Sequence, residues 1–210
     1  MPAPQRLAFL VPGSPAARTG GTRYDVSLAD ALEAAGVACS VHGLDGAWPG
    51  PDDVGARALG DALSGLADGT VAIVDGLCLA TLAGFDTAPR FIALMHHPAA
   101  LETGLSPDEA ARLRALETRA LARAARVVAT SGYTARLLAE DYGVMPERIG
   151  VVSPGVSVTP VPLRQRPSDP AVRVLAVASV TPRKGYEVLV DAATLLRRDR
   201  PDLPAFRIDC

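Results

Sequence analysis

Lysine is nearly missing from this 210-residue chain. Of its 21 basic residues only Lys184 is a lysine, and the rest are arginines. Aromatic residues are also scarce, at 4% of the total, which argues against a platform for stacking nucleic-acid bases. The formal net charge is −2, so no basic field is present to hold a polyanion such as DNA or RNA. Three cysteines, Cys39, Cys78 and Cys210, give an odd number and no C-x-x-C pair. That excludes a disulfide framework and a cysteine zinc site of the usual spacing. Cys39 and Cys78 lie in apolar runs and read as small core residues. No uninterrupted apolar stretch approaches the roughly 18 residues that a membrane span needs. The first residues, MPAPQRLAFLVPGS, hold one arginine and a short apolar run. They read as a first strand and not as a signal peptide. The expected location is cytoplasmic. Several catalytic signatures are missing as well. There is no G-x-G-x-x-G, no G-x-x-x-x-G-K-[ST] and no G-x-S-x-G.

What the chain does have is alternation. Short runs, most of them apolar throughout, at residues 7–11, 37–41, 70–74, 90–95, 126–130 and 149–152, read as buried strands. Between them lie stretches with helical periodicity. Residues 22–35 place Val26, Ala29, Leu32 and Ala35 at helical spacing and stop at Gly36. Residues 52–66 form an alanine-rich helix. Ser106-Pro107-Asp108-Glu109 opens another with a serine cap, a proline in the first turn and acids at the positive end of the dipole. Ser131 caps a fourth, which Gly143 ends. Strands alternating with helices predict right-handed βαβ units and an α/β fold, with a Rossmann-like parallel sheet covered on both faces. Residues 157–171 differ in kind. Pro160, Pro162, Pro167 and Pro170 stand among polar and charged residues there, the composition of an interdomain linker. A new strand–helix–strand pattern begins at Val172. The predicted organisation is therefore one domain at 1–156, a linker at 157–171 and the opening βαβ unit of a second Rossmann-like domain at 172–210. That unit is too small to bury a core by itself.

In open parallel sheets, ligands sit at the carboxyl ends of the strands. Four loops occupy such positions. The loop 12–23 ends in Gly20-Gly21 just before a helix, where backbone N–H groups can meet a phosphate; a plain surface loop would look the same. Met95-His96-His97-Pro98 ends a buried strand with two groups able to exchange protons near neutral pH. One core histidine and one exposed histidine would serve as well. A metal site would need more ligands than His42 and scattered acids supply, so no metal is expected. Thr181-Pro182-Arg183-Lys184-Gly185 puts two cations at a helix start. That position disfavours cations unless an anion joins them. Ser131, in the fourth loop, reads as a helix cap.

Taken in order, these segments resemble the retaining GT-B glycosyltransferases called group 1. The residues that carry the resemblance are Thr19-Gly20-Gly21, His96-His97-Pro98, RVVATSGYTARLLAEDYGVMPERIGVVSPGV at 126–156 and VLAVASVTPRKGYEVLVDA at 174–192. The resemblance implies two facing Rossmann-like domains, an acceptor side and a nucleotide-sugar side. It implies transfer of a sugar, with retention, to an unknown sugar, lipid-linked glycan or small molecule. It implies no nucleic acid partner, no metal or other cofactor, and at most a peripheral membrane contact. Arg183 and Lys184 would bind the donor diphosphate, and Gly20 and Gly21 would approach it from the other domain. His97, and less strongly His96, would stand near the transferred sugar. The family's acidic pair and base pocket correspond to positions past residue 210, so the 210-residue chain alone is expected to be inactive. A non-catalytic binding module and a GT-B sugar-nucleotide epimerase are the alternatives.

Overall fold

In a computed structural model, residues 6–50, 52–86, 89–156, 171–178 and 180–210 are described. The chain divides into two compact units, Met1–Gly155 and Val156–Cys210. The proposed linker at 157–171 falls almost wholly outside the described residues.

The first unit holds six parallel strands: β1 Arg6–Pro12, β2 Cys39–Leu44, β3 Thr70–Asp75, β4 Phe91–Met95, β5 Arg126–Ala129 and β6 Ile149–Val151. Their order across the sheet is β2-β1-β3-β4-β5-β6. The chain runs outward from β1 to β2 and then returns past β1 to begin β3. The strand order thus reverses between β1 and β3, the place where open α/β sheets bind ligands.

The helices are α1 Gly20–Ala34, α2 Asp53–Ser64, a single turn α3 Leu79–Leu82, α4 Pro107–Arg123 and α5 Gly132–Tyr142. Their starts are set by local chemistry. Thr19, Asp52, Ser106 and Ser131 each accept a backbone N–H of the first turn. Ser106 and Glu109 complete a reciprocal capping box. Gly143, at φ 66°, closes α5 in the left-handed region that glycine enters without a Cβ penalty.

Period-two alternation divides the strands between two cores. Phe9, Val11, Ile73 and Leu94 face α1 and pack with Ala29. Leu10, Ala72, Val74, Phe91, Ala93 and Met95 face the opposite way and pack with residues of α2 to α5. Both sides of β1, β3 and β4 are therefore dry, which explains why these runs are apolar at every position. Each fully buried Phe or Leu contributes roughly 1.5–3 kcal/mol by leaving water.

Two boundaries differ from the sequence expectation. Strand β2 begins at Cys39 and not at Val37, because the Val37 N–H bonds back to the Leu32 carbonyl and finishes α1. The segment after β3 is helical and was not foreseen. Asp75 caps a 3₁₀ turn at Gly76–Cys78, which runs on into α3. An apolar stretch this short has no readable period.

The second unit contains β7 Val172–Leu175, α6 Tyr186–Asp199 and β8 Phe206–Asp209, with β7 and β8 parallel. Val174, Leu189, Ala193, Leu196, Phe206 and Ile208 line an open apolar groove within it. Within this unit, among the described residues, none is buried. No helix of the described residues is long and apolar enough to cross a membrane.

Candidate functional site

The site forms at the carboxyl edge of the first sheet, around the switch between β1 and β3. After β1 the chain turns at Gly13, with φ 66°, and reaches the cap Thr19 and the first residues of α1, Gly20 and Gly21. Helix α1 places Thr22, Asp25 and Ala29 on its buried side. Asp75 is the last residue of β3. His96 follows the last residue of β4, two strands from β1.

These elements bring His96 between two buried acids. Its Nε2 lies 2.9 Å from Asp25 Oδ1 and 3.5 Å from Asp75 Oδ2. Asp25 is completely buried, Asp75 nearly so, and the His96 side chain is 25% exposed. Asp75 Oδ1 is occupied by the Leu77 N–H at 2.7 Å, while Asp25 Oδ2 is buried without a partner. The Tyr24 ring meets the His96 ring edge-on, with centroids 5.2 Å apart. A Cβ on Gly21 would stand 3.5 Å from His96 Cδ2, whereas one on Gly20 would meet nothing within 4 Å. Gly21 thus leaves the ring edge uncovered, and any side chain longer than alanine would cover it.

Burial opposes charge on both members of the central pair. For His96 the hydrogen bonds and charges of Asp25 and then Asp75 overcome that opposition, and the imidazole is pushed up to about 9. For Asp25 burial dominates over the His96 hydrogen bond, Asp75 adds repulsion, and the carboxyl rises to about 6. Between these values Asp25 and His96 face each other as carboxylate and imidazolium. Cys78 beneath them is held well above the ordinary thiol range, first by burial and then by Asp75 and Asp25.

The sign for stability follows. Both groups bind protons more tightly in the folded state. Asp25 therefore loses its contribution as pH rises from 3.8 to about 6, and His96 loses its own from 6.5 to about 9. Urea unfolding of the chain should show stability falling across pH 6.5 to 9 by up to roughly 3 kcal/mol. In His96→Gln that decline should largely vanish. An equal decline in both proteins would show that His96 is not the group responsible.

Among the described residues, Asp25, Asp75 and His96 are the one group of three metal-type ligands, their atoms within 4.8 Å of one another. A cation could enter only by displacing the imidazolium proton, since a protonated ring nitrogen has no lone pair to give.

The remaining expected site residues fall as follows. His97 is half-buried, and its Nε2 is enclosed with no partner. His42 lies in β2 and bonds Ser40 at 2.8 Å on an exposed face. The His96 carbonyl is near the hydroxyls of Thr130 and Thr134, at 3.5 and 3.4 Å. The loop after His97 is anchored by Glu117, a fully buried acid of α4. Glu117 accepts the N–H groups of Ala99 at 2.6 Å and Ala100 at 3.3 Å and the Tyr142 hydroxyl at 3.4 Å. In the second unit, Arg183 and Lys184 occupy an exposed 3₁₀ turn, Pro182–Lys184, and Gly185 at φ 65° leads into α6. Sequence reasoning missed Asp25, Asp75, Tyr24 and Glu117. The available signal was an acid on a stripe that is otherwise small or apolar: Asp25 among Thr22 and Ala29, and Glu117 among Leu113, Ala120 and Leu121.

Residues 71–159, which include Asp75, His96, His97 and Ser131, match the model of Glycosyltransferase Family 4. Curated relatives carry the name D-inositol 3-phosphate glycosyltransferase. The protein of Nocardia farcinica is 39% identical over 114 residues, covering 48% of this chain and 24% of the relative. That of Jonesia denitrificans is 33% identical over 118 residues, 50% of this chain and 28% of the relative. That of Thermomonospora curvata is 36% identical over 120 residues, 50% and 27%. The aligned part thus spans only about a quarter of the relatives' own length. With its parallel six-stranded sheet, the chain is similar over residues 71–159 to Glycosyltransferase Family 4 and, over about half its length, to these curated glycosyltransferases.

Proposed function

We propose that this chain provides the acceptor-side domain, and the first part of the donor side, of an enzyme that moves a sugar from a nucleotide-sugar donor to an acceptor hydroxyl with retention of configuration. The observation that carries the reading is His96, held between two buried acids at the strand-order switch, with side-chain-free Gly21 beside its Cδ2. A protonated ring at the strand ends can offer a hydrogen bond to an oxygen that gains negative charge. The departing group in such a transfer is a nucleoside diphosphate. The N–H groups at the start of α1, bare at Gly20 and Gly21, suit one side of that charge. Taken by itself, the second unit carries Arg183 and Lys184 before α6, a guanidinium fork and an ammonium that suit a phosphate by charge. No step requires a metal. Among sugars, lipid-linked glycans and small molecules, the relatives' names favour a phosphorylated cyclitol as acceptor.

Lys184 provides the test of the donor assignment. In the complete protein, Lys184→Ala should lower kcat/KM for the donor ten- to a hundredfold, as expected for the loss of one charge-assisted bond of about 1.5–3 kcal/mol. Arg198 is the control. It sits at the far end of α6 against Asp199, at 2.7 Å, and Arg198→Ala should stay within about twofold. Matching losses in the two variants would remove the diphosphate role of Lys184. Consumption of donor with no sugar appearing on any acceptor would favour the epimerase reading.

A further inference from the structure

Asp25 does more than neighbour the site. It lies one helical turn after Gly21, so residues 21, 24 and 25 of α1 all address one imidazole: Gly21 by leaving its edge open, Tyr24 by an edge-on ring and Asp25 by a hydrogen bond. Nε2 carries a single hydrogen. Asp25 at 2.9 Å is within hydrogen-bond range and Asp75 at 3.5 Å is at its limit. Asp75 is in addition committed through its other oxygen to the turn at Leu77. The division of labour is therefore unequal. Asp25 holds the ring, while Asp75 shapes the backbone beyond β3 and adds charge. A wholly buried carboxylate with one oxygen left unpartnered weakens the fold on its own account, so its place on the inner face of α1 calls for a reason other than packing.

We propose that Asp25 is the positioning residue of this site, gripping His96 through Nε2 so that the ring is held in place as a doubly protonated donor and not as a base. The consequence for turnover rests on the reading of His96 as a group at the reacting centre; the grip itself does not. The titratable groups around the ring are Asp25 and Tyr24 from α1, Asp75 from the end of β3, Cys78 from the turn after it and the adjacent His97. Tyr24 and Cys78 are both held above their ordinary ranges, first by burial, so Asp25 and Asp75 are the charges that matter near neutral pH. With Asp25 replaced by asparagine, the ring keeps its place on the chain but loses its nearest carboxylate. It should therefore give up its second proton at a lower pH than in the wild type.

Nitrogen-15 NMR of the imidazoles in the 210-residue chain reads this directly, with His97→Gln used to assign His96. In the wild type both His96 nitrogens should be protonated at pH 7.5, with titration near 9. In Asp25→Asn the midpoint should drop by more than one pH unit, and by less in Asp75→Asn. The exposed Asp30→Asn, on the same helix, should leave it in place. A neutral His96 ring in the folded wild type at pH 7.5 would overturn the proposal even if Asp25→Asn failed to fold. So would an Asp75→Asn shift larger than that of Asp25→Asn. In the complete protein, the alkaline limb of the kcat profile should move down by more than one pH unit in Asp25→Asn, with near-normal turnover at pH 6. A purely structural acid would lower kcat at all pH values alike, and that outcome would count against a positioning role. An NMR result as expected combined with turnover indifferent to His96 would leave the grip standing and remove His96 from the reacting centre.

Discussion

Glu117→Ala should destabilise the first unit by roughly 3–5 kcal/mol. The size follows from what the carboxylate satisfies. Ala99 and Ala100 are buried, and their N–H groups point at Glu117 with no water to replace it. Each buried donor left unpaired costs about 1–3 kcal/mol, and the Tyr142 hydroxyl loses its partner as well. For a unit of this size, each 1 kcal/mol moves the melting temperature by about 2–4 °C, so a drop on the order of 10 °C is expected. Glu117→Gln should recover only part of it. The amide keeps one acceptor for Ala99 but places an N–H₂ donor where the Ala100 N–H and the Tyr142 O–H donate. The control is Glu140→Ala on the exposed face of α5, which should change stability by less than about 0.5 kcal/mol. Thermal unfolding of the three variants decides it. A Glu117→Ala protein as stable as the control would mean that the loop after His97 holds its shape without the buried acid. Because that loop follows His96 directly, loosening it should also blunt the alkaline His96 titration, linking this packing feature to the site.

Much of this architecture is legible in the residues. The strands of the first unit read clearly because β1, β3 and β4 are covered on both faces. That makes Leu7–Val11 and Val71–Val74 apolar at every position, not alternating. The helix starts at Ser106 and Ser131 read clearly because a capping hydroxyl acts on its own first turn, a purely local effect. The expectation of a site at the strand ends came from topology. What could not be read was pairing across the sheet. Asp25 and His96 are 71 residues apart, and nothing local to either one announces the other. The family resemblance points to His97, and less strongly to His96. Once the chain is folded, it is His96 that lies against Asp25 and Asp75, while His97 Nε2 is enclosed without a partner. The Val37 boundary failed for a related reason. A β-branched residue after a glycine suggests a strand, yet its N–H is consumed in closing α1. Arg183 and Lys184 stand out in the sequence by their charge just before a helix, a placement that local electrostatics disfavours unless an anion joins them.

The two histidines also supply the most direct test of the account's central claim, that His96 in its acidic cradle is the group at the reacting centre. In the complete protein, with nucleotide-sugar donor and acceptor both saturating, His96→Gln should cut kcat by about 10²–10³-fold, the range seen when one hydrogen-bond donor to developing charge is removed. KM for either substrate should change by less than about threefold, since the lost interaction strengthens only in the transition state. His97→Gln, measured beside it on protein shown by circular dichroism and thermal melting to be folded, should retain at least a tenth of wild-type kcat. If His97→Gln proved the more damaging change in kcat, or if His96→Gln turned over at the wild-type rate, the site built around Asp25, Asp75 and His96 would not be where the sugar is transferred.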